Sequence, residues 1–197
     1  MDPELAEPAT SRRAWLGAAG AAGLVGAAAL LLSERPVGAA PSTPTASDTE
    51  LLAAAQALEL TAHDLYQLAI AAGVDDPTGV IGVMATNHRA YAEAIAGITG
   101  VSADSRNEAV YSSLESGFDT SDLEQFAAAG VELENAAVAT HTELLGEYES
   151  AAAVNLAGSI IVVEARHATV LGDMLGEDPE ALVGATGSPV STTEASA

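Results

Sequence analysis

The chain has 197 residues with no cysteine and no lysine, and 28 acidic residues against six arginines give it a net charge of −22. This composition excludes disulfides and thiolate metal sites, and a surface so acidic repels nucleic acid and anionic lipid while attracting cations. Excess acid also simply keeps an alanine-rich protein soluble. Aromatics are only 4% and alanine dominates, which favours closely packed helices with a thin core and gives strands little support.

The N-terminal segment, 1–40, carries Ser11-Arg12-Arg13-Ala14-Trp15-Leu16 and then 19 uncharged residues from Ala14 to Leu32. Paired arginines before an apolar run form a twin-arginine export signal, a route used by proteins that cross the membrane already folded. The run is long enough to span a bilayer once. Val37-Gly38-Ala39 suits a signal peptidase, whereas Glu34 and Arg35 suit the outer end of a retained anchor, so cleavage and anchoring both stand open. The expected location is therefore the cell envelope or the exterior, with membrane contact only through this segment if it is uncleaved.

After a Pro/Ser/Thr-rich linker, 41–47, a single domain is expected over 48–176. Ser47-Asp48-Thr49-Glu50 has the form of a capping box that starts a first helix near Asp48, and Gly73 ends it. Asp76-Pro77 starts a second, from Pro77 to about Thr99. The stretch from Gly100 to Ser121 is polar, with a short helix around Asn107 to Leu114, and is long enough to travel the length of a bundle. Ser121-Asp122-Leu123-Glu124 opens a third long helix that reaches about Tyr148, and Ser150 caps a fourth that runs to Leu175. Short, long and short connections imply an all-α four-helix bundle with one long crossover between its second and third helices. The tail, 177–197, is rich in Pro, Gly, Ser and Thr and is expected to be mostly disordered.

Each long helix offers a carboxylate or an imidazole. The first has Glu59 and His63 on one face, with Glu59 inside an apolar stripe, where a lone carboxylate is costly unless paired or metal-bound. The second has His88 and Tyr91, three apart, and the third has Glu134 and His141, seven apart. In the fourth, Ile160 to Val163 lead into Glu164 and His167, an apolar setting that buries the Glu-x-x-His pair.

The segment from Leu51 to Gly176 resembles ferritin-like domain proteins of the exported bacterial type. Ile161-Val162-Val163-Glu164-Ala165-Arg166-His167-Ala168 is similar to that family's last-helix motif, Leu58-Glu59 with Asp64-Leu65-Tyr66 to its first helix, and Leu133-Glu134-Asn135 with His141 to its third. The resemblance implies a carboxylate-bridged pair of iron or manganese ions inside the bundle, with Glu59, Glu134, Glu164 and His167 as ligands. The second helix departs from the pattern. His88 stands where the family has a Glu and Tyr91 where it has a His, so one carboxylate is missing, and His63, His88 and His141 are candidates to compensate.

The sequence is thus read as an exported ferritin-like protein with a divergent carboxylate/histidine site for metal binding or for oxygen or peroxide chemistry. The site could be histidine-rich and mononuclear, asymmetric and dinuclear, or absent. In the last case the bundle is a structural or interaction module of the envelope, with a second copy of the chain as a candidate partner. Its polar residues then pair with one another, for example Glu164 with His88 and Glu59 with His167.

Overall fold

The structure is a computed structural model that describes residues 40–184 and 187–191. The paired arginines and the apolar run lie outside the described residues. Among the described residues six helices follow in order: α1 (Ala46–Ala72), α2 (Val80–Thr99), α3 (Glu108–Phe118), α4 (Leu123–Leu145), α5 (Ala151–Met174) and the one-turn α6 (Pro179–Leu182). No strand occurs among the described residues. The bundle consists of α1 packed on α2 and α4 packed on α5, with α3 lying across α1 and α4 in the long crossover.

Several helix starts differ from the expectation by one or more residues, each because a neighbouring side chain holds the free backbone N–H groups better. Thr45, rather than Ser47, caps α1 in a capping box whose other member is Asp48. Asp48 also accepts from the backbone N–H groups of Glu149 (2.7 Å) and Ser150 (3.0 Å), so one buried carboxylate ties the start of α1 to the turn before α5. Asp76 does cap α2, through Val80 N and Ile81 N at 2.9 Å, but Pro77 to Gly79 form a turn and the helix begins at Val80. Gly79 has φ +71°, a left-handed conformation that leaves Pro77 no place in the first helical turn. Asp122, rather than Ser121, caps α4, and Ser150 caps α5 as expected.

The crossover is pinned to α1. Asn107 N donates to Thr61 Oγ1 at 2.9 Å, and Arg106 bonds both Asp64 (3.0 Å) and Glu108 (2.9 Å) while its guanidinium covers the Tyr111 ring at 3.4 Å. The tail, expected to be mostly disordered, is in contact with the bundle where it is described: Val190 N donates to Thr140 Oγ1 at 2.9 Å, and α6 sets Leu182 against Gly172.

Two apolar clusters occupy the two ends of the bundle. One gathers Leu65, Tyr66, Ala69, Ile81, Met84, Phe118, Phe126, Leu133 and Leu171. The other gathers Leu52, Ala55, Ile95, Leu144, Tyr148, Ala153, Ala157 and Ile160. Between them lie a small third cluster of Leu58, Val110 and Ala137 and, from all four long helices, polar side chains that meet in one buried layer at mid-bundle. By length and composition α5 could cross a membrane, and its apolar character goes with burying Ile160 and Leu171 on either side of that layer.

Candidate metal centre

Six side chains form the layer: Glu59 from α1, His88 from α2, Glu134 and His141 from α4, and Glu164 and His167 from α5. All are buried, none exposing more than 6% of its surface. Helical spacing explains the set. Glu134 and His141 are two turns apart on one face, and Glu164 and His167 are one turn apart.

The six fall into two groups along the bundle axis. His88, Glu134 and His167 lie toward the end with Tyr66 and Phe118, while Glu59, His141 and Glu164 lie toward the end with Leu52 and Ile160. Within each group, one ligand atom per residue lies within 4.8 Å of the others. The Glu-x-x-His of α5 therefore serves both groups, one residue in each.

His88 stands between them. Its Nδ1 is 2.8 Å from Glu59 Oε2 and its Nε2 is 3.1 Å from Glu134 Oε1. His141 Nε2 donates to Glu59 Oε1 at 2.9 Å and lies 3.3 Å from Glu164 Oε1, a distance that is an ionic contact but not a well-directed hydrogen bond. His167 Nδ1 donates to Glu134 Oε1 at 3.2 Å, and Asn87 Nδ2 donates to His167 Nε2 at 3.1 Å. The Tyr66 hydroxyl also donates to Glu134 Oε1, and its ring stacks on His88 with centroids 5.5 Å apart.

The polar residues do pair with one another, but not in the two pairs given as examples for a metal-free layer. Glu164 meets His141 instead of His88, and Glu59 meets His88 and His141 instead of His167. His63, the remaining candidate, is not brought to the layer. It is half-buried at the edge of α1, and its Nδ1 donates to the Ala85 carbonyl at 2.9 Å. Tyr91 likewise turns outward, its hydroxyl donating to the Ser159 carbonyl. Two contributors were not among the candidates. Tyr66 is seven residues after Glu59, so helical spacing puts it on the same face, and that spacing could have revealed it. Asn87 carries no comparable signal, since a polar residue beside His88 on a helix is ordinarily solvent-facing.

The electrostatics are uneven. Burial by itself would raise Glu59 and Glu134, but the hydrogen bonds and charges of the imidazoles outweigh it and bring both carboxyls down to about 2. Burial would lower His88 and His141. The neighbouring carboxylates reverse this, holding His88 well above its usual value and His141 at about 10. Glu164 goes the other way: burial, with the charges of Glu59 and Glu134 added and only partly offset by His141, pushes it up to about 7. Tyr66 is pushed well up by burial and by Glu134, so it remains a donor.

A family profile described as a ferritin-like domain matches residues 47–177, well over half of the chain. The chain belongs to the ferritin-like family. No match is found among curated proteins or solved structures. In this ferritin-like domain the two carboxylate/histidine groups are compatible with metal binding. The donor set fits such an ion on its own terms. Glu134 Oε2, both oxygens of Glu164 and His141 Nδ1 are buried without a hydrogen-bond partner, and a buried carboxylate oxygen with no donor is costly unless a cation supplies what is missing.

Proposed function

We propose that this ferritin-like domain binds divalent iron or manganese in its mid-bundle layer, in the service of oxygen or peroxide chemistry or of metal sequestration. The observation that carries this reading is Glu164: a carboxylate at the centre of a closed bundle, with neither oxygen hydrogen-bonded. Imidazole and carboxylate together suit first-row divalent ions. Glu134, Glu164, His167, Glu59, His88 and His141 would hold the metal, with His88 supplying a nitrogen where the family has a carboxylate. The bound ion supplies the redox or Lewis-acid chemistry, and the protein supplies the rest. Tyr66 fixes Glu134 by donating to Oε1, Asn87 orients His167, and the two apolar clusters keep bulk water from the layer. Export by the twin-arginine route is part of the proposal. It rests on Arg12, Arg13 and the apolar run behind them, and folding before export would let the cell load the metal inside.

One observation favours a second reading. Both oxygens of Glu59 and one of Glu134 are satisfied by imidazoles, so most of the layer can pair internally, as a metal-free structural or interaction module requires. The deciding measurement is elemental mass spectrometry on protein produced with iron and manganese present, beside a Glu164→Ala/His167→Ala double variant. One or two ions per chain, lost in the variant, support the metal reading. The absence of metal from both proteins would leave the internally paired bundle.

A further inference from the structure

The C-terminal segment takes no part in the layer, yet it returns across the bundle. Gly176, at φ +73°, ends α5 in the left-handed conformation that reverses the chain. α6 then lies on α5, where Leu182 meets Gly172 and Thr169 Oγ1 faces the Leu182 carbonyl at 3.4 Å. Residues 187–191 lie on the outer side of α4. Gly187 comes so close to the Asn135 carbonyl that a Cβ at this position would overlap the α4 backbone. Val190 N donates to Thr140 Oγ1 at 2.9 Å, and Asn107 Nδ2 reaches the Ser191 carbonyl at 3.5 Å. The side chain of Val190 packs against the cluster of Leu58, Val110 and Ala137. Leu58 precedes Glu59 on α1, and Ala137 lies on α4 one turn after Glu134 and one turn before His141. Val190 therefore sits outside the α1/α4 seam across which Glu59 Oε1 and His141 Nε2 meet at 2.9 Å. Alanine brings only a methyl group to this seam, and α3, through Val110 and Leu114, completes its wall together with Val190.

The hold on this segment is light. Val190 and Leu182 are each only half-buried, and a cavity of about 200 Å³ stays open where α6 lies over Val131, Asn135, Val138 and Thr169. Residues 177–197 contain no basic side chain, and Glu177, Asp178 and Glu180 stand at the root of the segment on a chain that is already strongly acidic. Few apolar contacts and few hydrogen bonds place a segment at the low end of local stability, so it opens while the helices stay folded. We propose that residues 187–191 are a latch over the α1/α4 seam, and that its release opens the route by which water and small ions reach the layer. The latch operates whether or not the layer holds a metal.

The test is hydrogen exchange read by mass spectrometry on the full chain after chelator treatment, beside Val190→Ser and Gly187→Ala. Backbone amides report the latch, and the slow exchange of each imidazole C2–H reports the access of water to that histidine. In the wild type the amides of 187–191 are expected to exchange more slowly than in a free peptide of the same sequence. Each variant is expected to bring them to the peptide rate. With the latch gone, exchange at His141 should rise about 10-fold, the factor that goes with losing one half-buried valine. His167, whose ring faces Asn87 of α2, should keep its rate. Wild-type amides already at the peptide rate would remove the latch. A latch lost with His141 unchanged would show that it covers no route. Equal acceleration at His141 and His167 would mean that the whole bundle had loosened, and that too would overturn the proposal. Metal content plays no part in these readouts, so the latch and the metal-binding reading stand or fall separately.

Discussion

Glu134 Oε1 receives three donors, from Tyr66, His88 and His167, while its Oε2 receives none. Tyr66 therefore decides which oxygen is left for an ion. Tyr66→Phe keeps the ring stacked among His88, Phe118 and Phe126 and removes only that donor, so metal affinity measured by competition with a chelating dye should fall by about 10- to 100-fold. Stability of the metal-free form should fall by only about 1–2 kcal/mol. An unchanged affinity would remove Tyr66 from the site. The same side chains set the pH dependence of the metal-free protein. Glu59 and Glu134 are held at about 2, below their ordinary 4.5, so their contribution is present above pH 4.5 and is lost as the pH falls toward 2. Glu164, raised to about 7, and His141, raised to about 10, act in the opposite sense. Their contributions are complete below their ordinary values of 4.5 and 6.5 and are lost as the pH rises through 7 and 10. Thermal melts of chelator-treated protein should thus peak near pH 4.5 and decline above it. The decline should steepen above pH 6.5, where His141 and His88 add to Glu164. A melting temperature that rises from pH 6 to 9 would contradict a buried Glu164 that no hydrogen bond holds.

At the scale of elements, the layer depends on the register of α1 against α5, since Glu59 and Glu164 belong to one group. Asp48 holds that register from the bundle end by accepting from Thr45 N, Glu149 N and Ser150 N. The donors keep its carboxyl below the usual range although burial acts against them. Replacing Asp48 by alanine strands backbone N–H groups in a buried turn, and the expected cost is about 3 kcal/mol. For a domain of this size that lowers the melting temperature by roughly 6–12 °C. A shift of less than about 2 °C would mean that the ends of α1 and α5 are held by packing alone.

For the molecule as a whole, the charge of −22 is the dominant long-range fact. Outside the buried layer the arginines of the described residues are Arg89, Arg106 and Arg166, and Arg89 and Arg106 are already engaged with Glu93, Asp64 and Glu108. Self-repulsion therefore opposes the compact state and is relieved by screening. The metal-free protein should melt several degrees higher in 1 M salt than in 10 mM salt, as scanning calorimetry would show. An insensitive melting temperature would mean that the acids are too dispersed to repel one another. A buried ion contributes through short contacts that salt screens little, so the metal-loaded protein should show a smaller absolute response.

The sequence by itself determined the helical fold, because caps, glycine stops and apolar spacing are local signals that α-helices read one turn at a time. Ser150 and Gly73 bound their helices as expected, and the long crossover with its short helix was visible as a polar stretch between two periodic ones. The helix starts at Thr45, Val80 and Asp122 were less legible, because neighbouring Ser, Thr and Asp residues compete for the same N–H groups and only the packed chain chooses among them. The candidate ligands were legible as polar residues interrupting apolar stripes. Which of them meet was decided by the tertiary structure, since it depends on the rotation of each helix about its axis. That rotation turns His63 to the Ala85 carbonyl, brings Tyr66 onto Glu134, and divides Glu164 from His167 between two groups. A helical period fixes which residues share a face, and only packing against three other helices fixes where that face points.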